Sequence, residues 1–131
     1  FVGNELKSHK GIGVKILLAD DEKDILLIYS ELLAGNGHVV TAASNGNEVI
    51  RLLSETDFDM LILDLYMPQM DGFEAIQALR DKGYAMPVIV MTGHFPDDEV
   101  SARLEGLQVC AALRKPVMIS TLLNAVNEAL Q

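Results

Sequence analysis

Two kinds of apolar pattern alternate along the chain. Lys15-Ile16-Leu17-Leu18-Ala19 is short, almost wholly apolar and stops at charge, as a strand buried on both faces does. From Glu22 to Ala34 the period changes. Ile25, Ile28, Tyr29, Leu32 and Leu33 recur at three and four, forming one stripe of a helix that Gly35 and Gly37 can end. A second strand is predicted over His38 to Ala43, followed by the turn pair Asn45-Gly46. A helix then runs from Asn47 to Glu55 with Val49, Ile50, Leu52 and Leu53 inward. Met60-Leu61-Ile62-Leu63 is a third strand, ending at Asp64. After a loop with Pro68 and Gly72, the ladder Phe73, Ile76 and Leu79 or Arg80 predicts a helix to Lys82. Val88 to Met91 is a fourth strand, ending at Thr92-Gly93. Pro96, with Asp97, Asp98 and Glu99 against the positive end of the dipole, starts a helix expected to reach Leu107. Val109 to Leu113 reads as a short fifth strand with Cys110 in the core, and Met118 to Leu130 as a last amphipathic helix.

Five strands alternating with five helices imply right-handed βαβ crossovers, hence an α/β, doubly wound parallel sheet with helices on both faces. Such sheets bind ligands beyond the carboxyl ends of their strands. Those ends carry Asp20-Asp21, Asp64, Thr92 and Lys115.

The 131 residues fit one domain, and half of them are apolar, enough for a core. No apolar run approaches the ~20 residues of a membrane helix, so no membrane span is expected. Ten basic against nineteen acidic residues leave a net charge of −9, the wrong sign for direct nucleic-acid binding. A single cysteine excludes an internal disulfide framework and fits a reducing, cytoplasmic setting. His9 and His38 have no ligand spacing that would make a zinc site.

The first strand-to-helix turn reads Asp20-Asp21-Glu22, which repels phosphate where a nucleotide-binding fold would place glycines. Gly11-Ile12-Gly13 precedes the strand and makes no dinucleotide fingerprint. Carboxylates gathered at ~4 Å repel by about 4 kcal/mol at an effective dielectric near 20. A hard divalent cation removes that cost, and Mg²⁺ typically takes one or two carboxylates and keeps its waters. The plainer alternative is that Asp20 or Asp21 caps the following helix and the rest are solvated. Asp64 ends a buried run, where a carboxylate can act as a nucleophile toward a phosphoryl group. Such transfer needs neutralised phosphoryl oxygens and in-line geometry, which an ammonium from Lys115 and a hydroxyl from Thr92 can help supply. Taken singly, Lys115 also reads as surface charge and Thr92 as an ordinary strand-end hydroxyl.

Leu17-Leu18-Ala19-Asp20-Asp21-Glu22, Leu61-Ile62-Leu63-Asp64-Leu65-Tyr66-Met67-Pro68 with Met70-Asp71-Gly72, Met91-Thr92-Gly93-His94, and Lys115-Pro116 together resemble the receiver domain of two-component response regulators. The resemblance covers residues 14–131 and implies a flavodoxin-like, five-stranded parallel sheet in the order 2-1-3-4-5. It implies Asp64 as phosphoacceptor, charged by a histidine kinase or histidine phosphotransfer protein. It places Asp20, Asp21, Asp64 and the Tyr66 backbone carbonyl around Mg²⁺, with Asp21 the more direct ligand of the first two. Thr92 and Lys115 would contact the phosphoryl group. Tyr66 and His94 would flank the path of attacking water, and their bulk predicts slow loss of the acyl phosphate unless both rings point to solvent. A protein of this kind modifies itself but turns over no external substrate. The family often dimerises, or meets effectors, on the face of its fourth helix, fifth strand and fifth helix.

Two positions depart from the family pattern. Ala112 stands three before the lysine, where an aromatic is usual, and Val117 follows Lys-Pro where Phe is common. The usual ring relay is therefore missing, and switching is expected to be damped or carried by His94-Phe95-Pro96. Ala112 also supports a rival reading, a degenerate receiver acting as a phosphorylation-independent interaction module. A phosphatase with an aspartyl nucleophile would want an acid two residues after it, and that place holds Tyr66. Residues 1–13, which begin at Phe1 rather than Met, read as a linker or expression remnant. The domain is thus expected to be cut from a longer regulator or a hybrid kinase.

Overall fold

The computed structural model describes residues 13–131; the expected linker, Gly13 apart, lies outside that range. Five strands, β1 (Lys15–Ala19), β2 (Val39–Ala43), β3 (Met60–Asp64), β4 (Val88–Thr92) and β5 (Ala111–Arg114), form one parallel sheet in the order β2-β1-β3-β4-β5. The helices are α1 (Lys23–Gly35), α2 (Gly46–Glu55), α3 (Gly72–Asp81), α4 (Asp97–Leu104) and α5 (Ile119–Ala129). No helix of the described residues is long and apolar enough to cross a membrane.

The continuous apolar runs are explained by a sheet covered on both sides. Leu17, Ala19, Leu61, Leu63, Val88 and Val90 face one core, closed by Val49 and Leu53 of α2, Phe73, Ile76 and Leu79 of α3, and Val100 of α4. The alternate residues Ile16, Leu18, Met60, Ile62, Ile89 and Met91 face a second core under Tyr29 and Leu33 of α1 and Leu122 and Val126 of α5. Each Leu or Ile buried here contributes roughly 1.5–3 kcal/mol of transfer free energy. The Tyr29 hydroxyl donates to the Val117 carbonyl, which settles its one polar atom beneath α1.

Several expectations need correction. Ile28 and Leu32 are exposed, at 51% and 38%, so the buried seam of α1 is only Tyr29 and Leu33. The α1 stripe is wider than the strip of sheet edge it covers. Helix α2 starts one residue early because the Asn45 side chain accepts from the Glu48 N–H, making it a cap rather than part of a free turn. Helix α4 stops at Leu104, three residues short, because Gly106 at φ +83° takes the chain out of the helix and returns Leu107 to the core. Strand β5 begins at Ala111, not Val109, and Cys110 is exposed rather than core. The strand lies at the edge of the sheet, with one side uncovered, so apolar character there does not mean burial.

Candidate functional site

Register brings the strand ends flush. Ala19 pairs with Ala43 and Leu63, Asp64 with Met91, and Thr92 with Arg114. The ladder continues one step past the strands: Asp20 N–H donates to Ala43 O, Leu65 N–H to Met91 O and Lys115 N–H to Thr92 O. Asp20, Asp64, Thr92 and Lys115 therefore stand side by side on one rim.

Asp20 and Asp64 are almost fully buried, at 0% and 1% exposure, whereas Asp21 is exposed. One carboxylate oxygen from each of the three lies within 4.8 Å of the others. Lys115 Nζ donates to Asp20 Oδ2 at 2.8 Å, to Asp64 Oδ2 at 3.0 Å and to Glu22 Oε1 at 3.3 Å. The other oxygens are also used. Asp20 Oδ1 accepts from Glu22 N–H at 2.9 Å, and Asp64 Oδ1 from Tyr66 N–H at 3.1 Å. Neither Asp20 nor Asp21 is the cap of α1; that position is Glu22, whose side chain makes no capping bond.

The electrostatics follow from burial. Desolvation raises the Asp20 carboxyl above its ordinary value, against the hydrogen bonds from Lys115 and the Glu22 amide that lower it. For Lys115, desolvation opposes the charge, but the bonds to Asp20 and Asp64 outweigh it and hold its pKa above the usual lysine value. The rim thus keeps a cation among acids packed closer than solvation alone would allow. Beside it, Thr92 Oγ1 is buried and has no hydrogen-bond partner among the described residues. An unpartnered buried hydroxyl costs about 1–3 kcal/mol, so it points to a missing acceptor.

The loop after β3 is held tightly. Asp71 caps α3 in a reciprocal box with Glu74, and Gly72 N–H donates to Leu65 O. A Cβ on Gly72 would stand 2.7 Å from both Asp64 O and Leu65 Cα, so only glycine lets α3 approach the acid this closely. The Tyr66 ring, half exposed, stacks on His94 with centroids 4.1 Å apart and planes inclined by 19°. Both residues are exposed, so the two rings pack on each other at the surface.

Two features escaped the sequence reading. Glu22 joins the Lys115 cluster although it looked like the start of a helix. Arg80, one of two alternatives for the α3 ladder, is instead a clamp. Its guanidinium donates to the carbonyls of Tyr84, Met86, Leu107 and Gln108, tying the end of α3 to the approach to β5. An arginine on an otherwise apolar stripe was the signal available for it.

A family model described as the response regulator receiver domain matches residues 16–127. A response regulator receiver protein of Anaeromyxobacter sp. (strain Fw109-5) is 37% identical over 111 residues, 84% of this chain and 46% of the relative. Response regulator MprA of Mycobacterium ulcerans (strain Agy99) is 33% identical over 122 residues, 92% of this chain and 51% of the relative. The chain thus spans about half the length of these curated relatives. Among solved structures, a response regulator receiver domain protein from Clostridium thermocellum superposes with TM-score 0.81 at 33% identity, covering 89% of this chain and 94% of that one. The chemotaxis response regulator CheY4 of Vibrio cholerae gives TM-score 0.81 at 28% identity, over 89% of this chain and 98% of that one.

Proposed function

This chain belongs to the response regulator receiver domain family, and from that premise we propose that residues 14–131 are a receiver that accepts a phosphoryl group on Asp64. The observation that carries the reading is the rim itself. Three carboxylates lie within 4.8 Å, one ammonium bridges the two buried ones, and a buried hydroxyl alongside lacks an acceptor. An acyl phosphate on Asp64 would give Thr92 Oγ1 that acceptor and keep Lys115 beside negative oxygen.

Three convergent carboxylates suit a hard divalent ion, so Asp20, Asp21, Asp64 and the Tyr66 carbonyl are the residues to hold Mg²⁺. Bound there, the ion would neutralise charge on the carboxylates and on phosphoryl oxygens. The rest is the protein's own work. An Asp64 oxygen attacks phosphorus in line while the bond from phosphorus to a donor histidine nitrogen breaks, and that nitrogen retains the departing electron pair. Lys115 neutralises the transferred group, and Thr92 orients it. Tyr66 and His94, stacked on each other, limit the approach of hydrolytic water. The donor is a histidine kinase or a histidine phosphotransfer protein, in the cytoplasm. No external substrate is consumed, so the protein is a switch rather than an enzyme. The face formed by α4, β5 and α5 is the place for a homodimer.

Incubation with acetyl phosphate and Mg²⁺, followed by intact mass, tests this. One added phosphoryl group is expected, lost in Asp64→Asn and prevented by chelation of the metal. An unlabelled protein would favour the second reading, a phosphorylation-independent interaction module. Ala112 is the observation on that side, since an exposed methyl on β5 replaces the usual ring.

A further inference from the structure

Two helices begin on glycine, and both glycines face the loop after Asp64. Gly72 opens α3 against Asp64 O and Leu65, and Gly46 opens α2 against Met70. A Cβ at position 46 would stand 2.8 Å from Met70 O, 2.9 Å from its Cγ and 3.0 Å from its Cβ. Gly46 takes no positive φ, so backbone conformation does not call for glycine there. Within a helix glycine is a disadvantage beside alanine. The space occupied by Met70 is the remaining reason for it. The floor under Met70 is pinned in turn. Asn45 caps α2 through the Glu48 N–H, and the Glu48 carboxylate accepts from both the N–H and the hydroxyl of Ser44.

What rests on that floor is a strained turn. Met70 N–H donates to Pro68 O at 2.8 Å, which bends the chain about Gln69 at φ +70°. A residue other than glycine seldom takes that conformation, and keeps it only where its surroundings over-determine it. Pro68 and Gln69 are exposed, whereas Met70 is half-buried against the core under α2 and α3. At its other end the loop is closed by the bond from Gly72 N–H to Leu65 O. Tyr66, Met67, Pro68 and Gln69 lie between these two fixed points. Met67 is buried, and the proline ring fixes φ at Pro68. A displacement of Met70 is therefore taken up at Gln69 and at Tyr66, the residue whose carbonyl is to hold Mg²⁺.

Resting on the phosphoacceptor reading and going beyond it, we infer that Gly46 is a positioning residue for the ion site. It seats Met70 on α2 and thereby holds the Tyr66 carbonyl in place. Groups that never touch a metal can govern its affinity by fixing a ligand that does. A methyl at position 46 lifts Met70, and truncation of Met70 removes the side chain that holds the turn down. Both changes loosen the same carbonyl.

Titration of the full chain with Mg²⁺, followed on the amide NMR resonances of residues 64–67, measures the affinity of the folded protein. Gly46→Ala should weaken it about tenfold, the lower end of what a lost supporting contact costs a metal site. Gly35→Ala is the control, because a Cβ there meets nothing within 4 Å, and its affinity should match the wild type. Met70→Ala should weaken binding by a smaller factor, since the Met70 carbonyl stays on its seat. With Met70 truncated, the alanine methyl takes the space of the lost Cγ, so the double variant should lose less than the two factors multiplied. A contact that only stabilised the fold would move the urea midpoint in chelator and leave Mg²⁺ affinity unchanged. That result in Gly46→Ala, or in Met70→Ala should the first not fold, overturns this inference, as does an equal loss in Gly35→Ala. The phosphoacceptor reading then still stands on labelling of the wild type by acetyl phosphate. A wild type that neither binds Mg²⁺ nor takes that label overturns both.

Discussion

Replacing Lys115 with alanine removes the one cation that Asp20 and Asp64 share. The lysine side chain is 15% exposed and those of its two partners 0% and 2%, so water replaces it poorly. Two acids are left with oxygens within 4.8 Å. At an effective dielectric near 20 their repulsion is roughly 3.5 kcal/mol, in line with the ~3–5 kcal/mol measured when a buried pair loses one partner. Access of water past the exposed Asp21 reduces this, and we expect a loss of about 3 kcal/mol. Urea unfolding in chelator at pH 7 measures it. Added Mg²⁺ should stabilise the variant more than the wild type, because stabilisation by a ligand grows with its affinity for the folded state. The pH dependence has a definite sign. The Asp20 carboxyl is already raised by burial, and loss of the ammonium raises it further. A raised acid costs stability above its folded pKa, and that cost disappears as pH falls below the unfolded value of about 3.9. The gap between variant and wild type should therefore narrow as pH falls from 7 toward 4. Equal midpoints at pH 7, or a loss indifferent to both Mg²⁺ and pH, would refute the claim that these acids are held together at a cost.

Other consequences are independent of that one. Arg80→Ala should cost about 2–3 kcal/mol in urea unfolding, since charged hydrogen bonds to four carbonyls are lost while some of these acceptors regain water. Arg80→Lys should recover less than half, because an ammonium cannot fork across separated carbonyls. Ser44 donates to Glu48 from both its N–H and its hydroxyl, which holds that carboxyl below its ordinary value. That contribution is complete above the unfolded pKa of about 4.3 and is lost as pH falls through the lower folded value. Glu48→Gln should thus be less stable at pH 7 and match the wild type in acid, as thermal melts across pH will show. Tyr66→Ala, which removes one ring of the stack beside Asp64, should speed hydrolysis of the acyl phosphate roughly tenfold, about 1.4 kcal/mol of barrier. An unchanged decay of the phosphorylated mass would show that the ring shields nothing.

Much of this molecule is written locally in its chain. Short apolar runs ending in Asp64 or Thr92 mark strands buried on both faces, and the alternation with helices dictates a parallel sheet. A parallel sheet in turn directs every strand-end residue to the same rim, so the chain alone groups Asp20, Asp64, Thr92 and Lys115. Where the reading failed, burial depended on neighbours distant in sequence. Cys110 and Ile28 are apolar by type but exposed, because the edge of the sheet leaves nothing to cover them. Arg80 stood as an alternative to Leu79 in the α3 ladder, because its four acceptors belong to loops up to 28 residues away. Lys115 pairs with acids 95 and 51 positions earlier, and the stack of Tyr66 on His94 joins two separate loops. Local periodicity reports how readily a residue is buried and in what backbone shape. Which partner it meets is decided only when strand register and helix packing bring distant segments within a few ångströms.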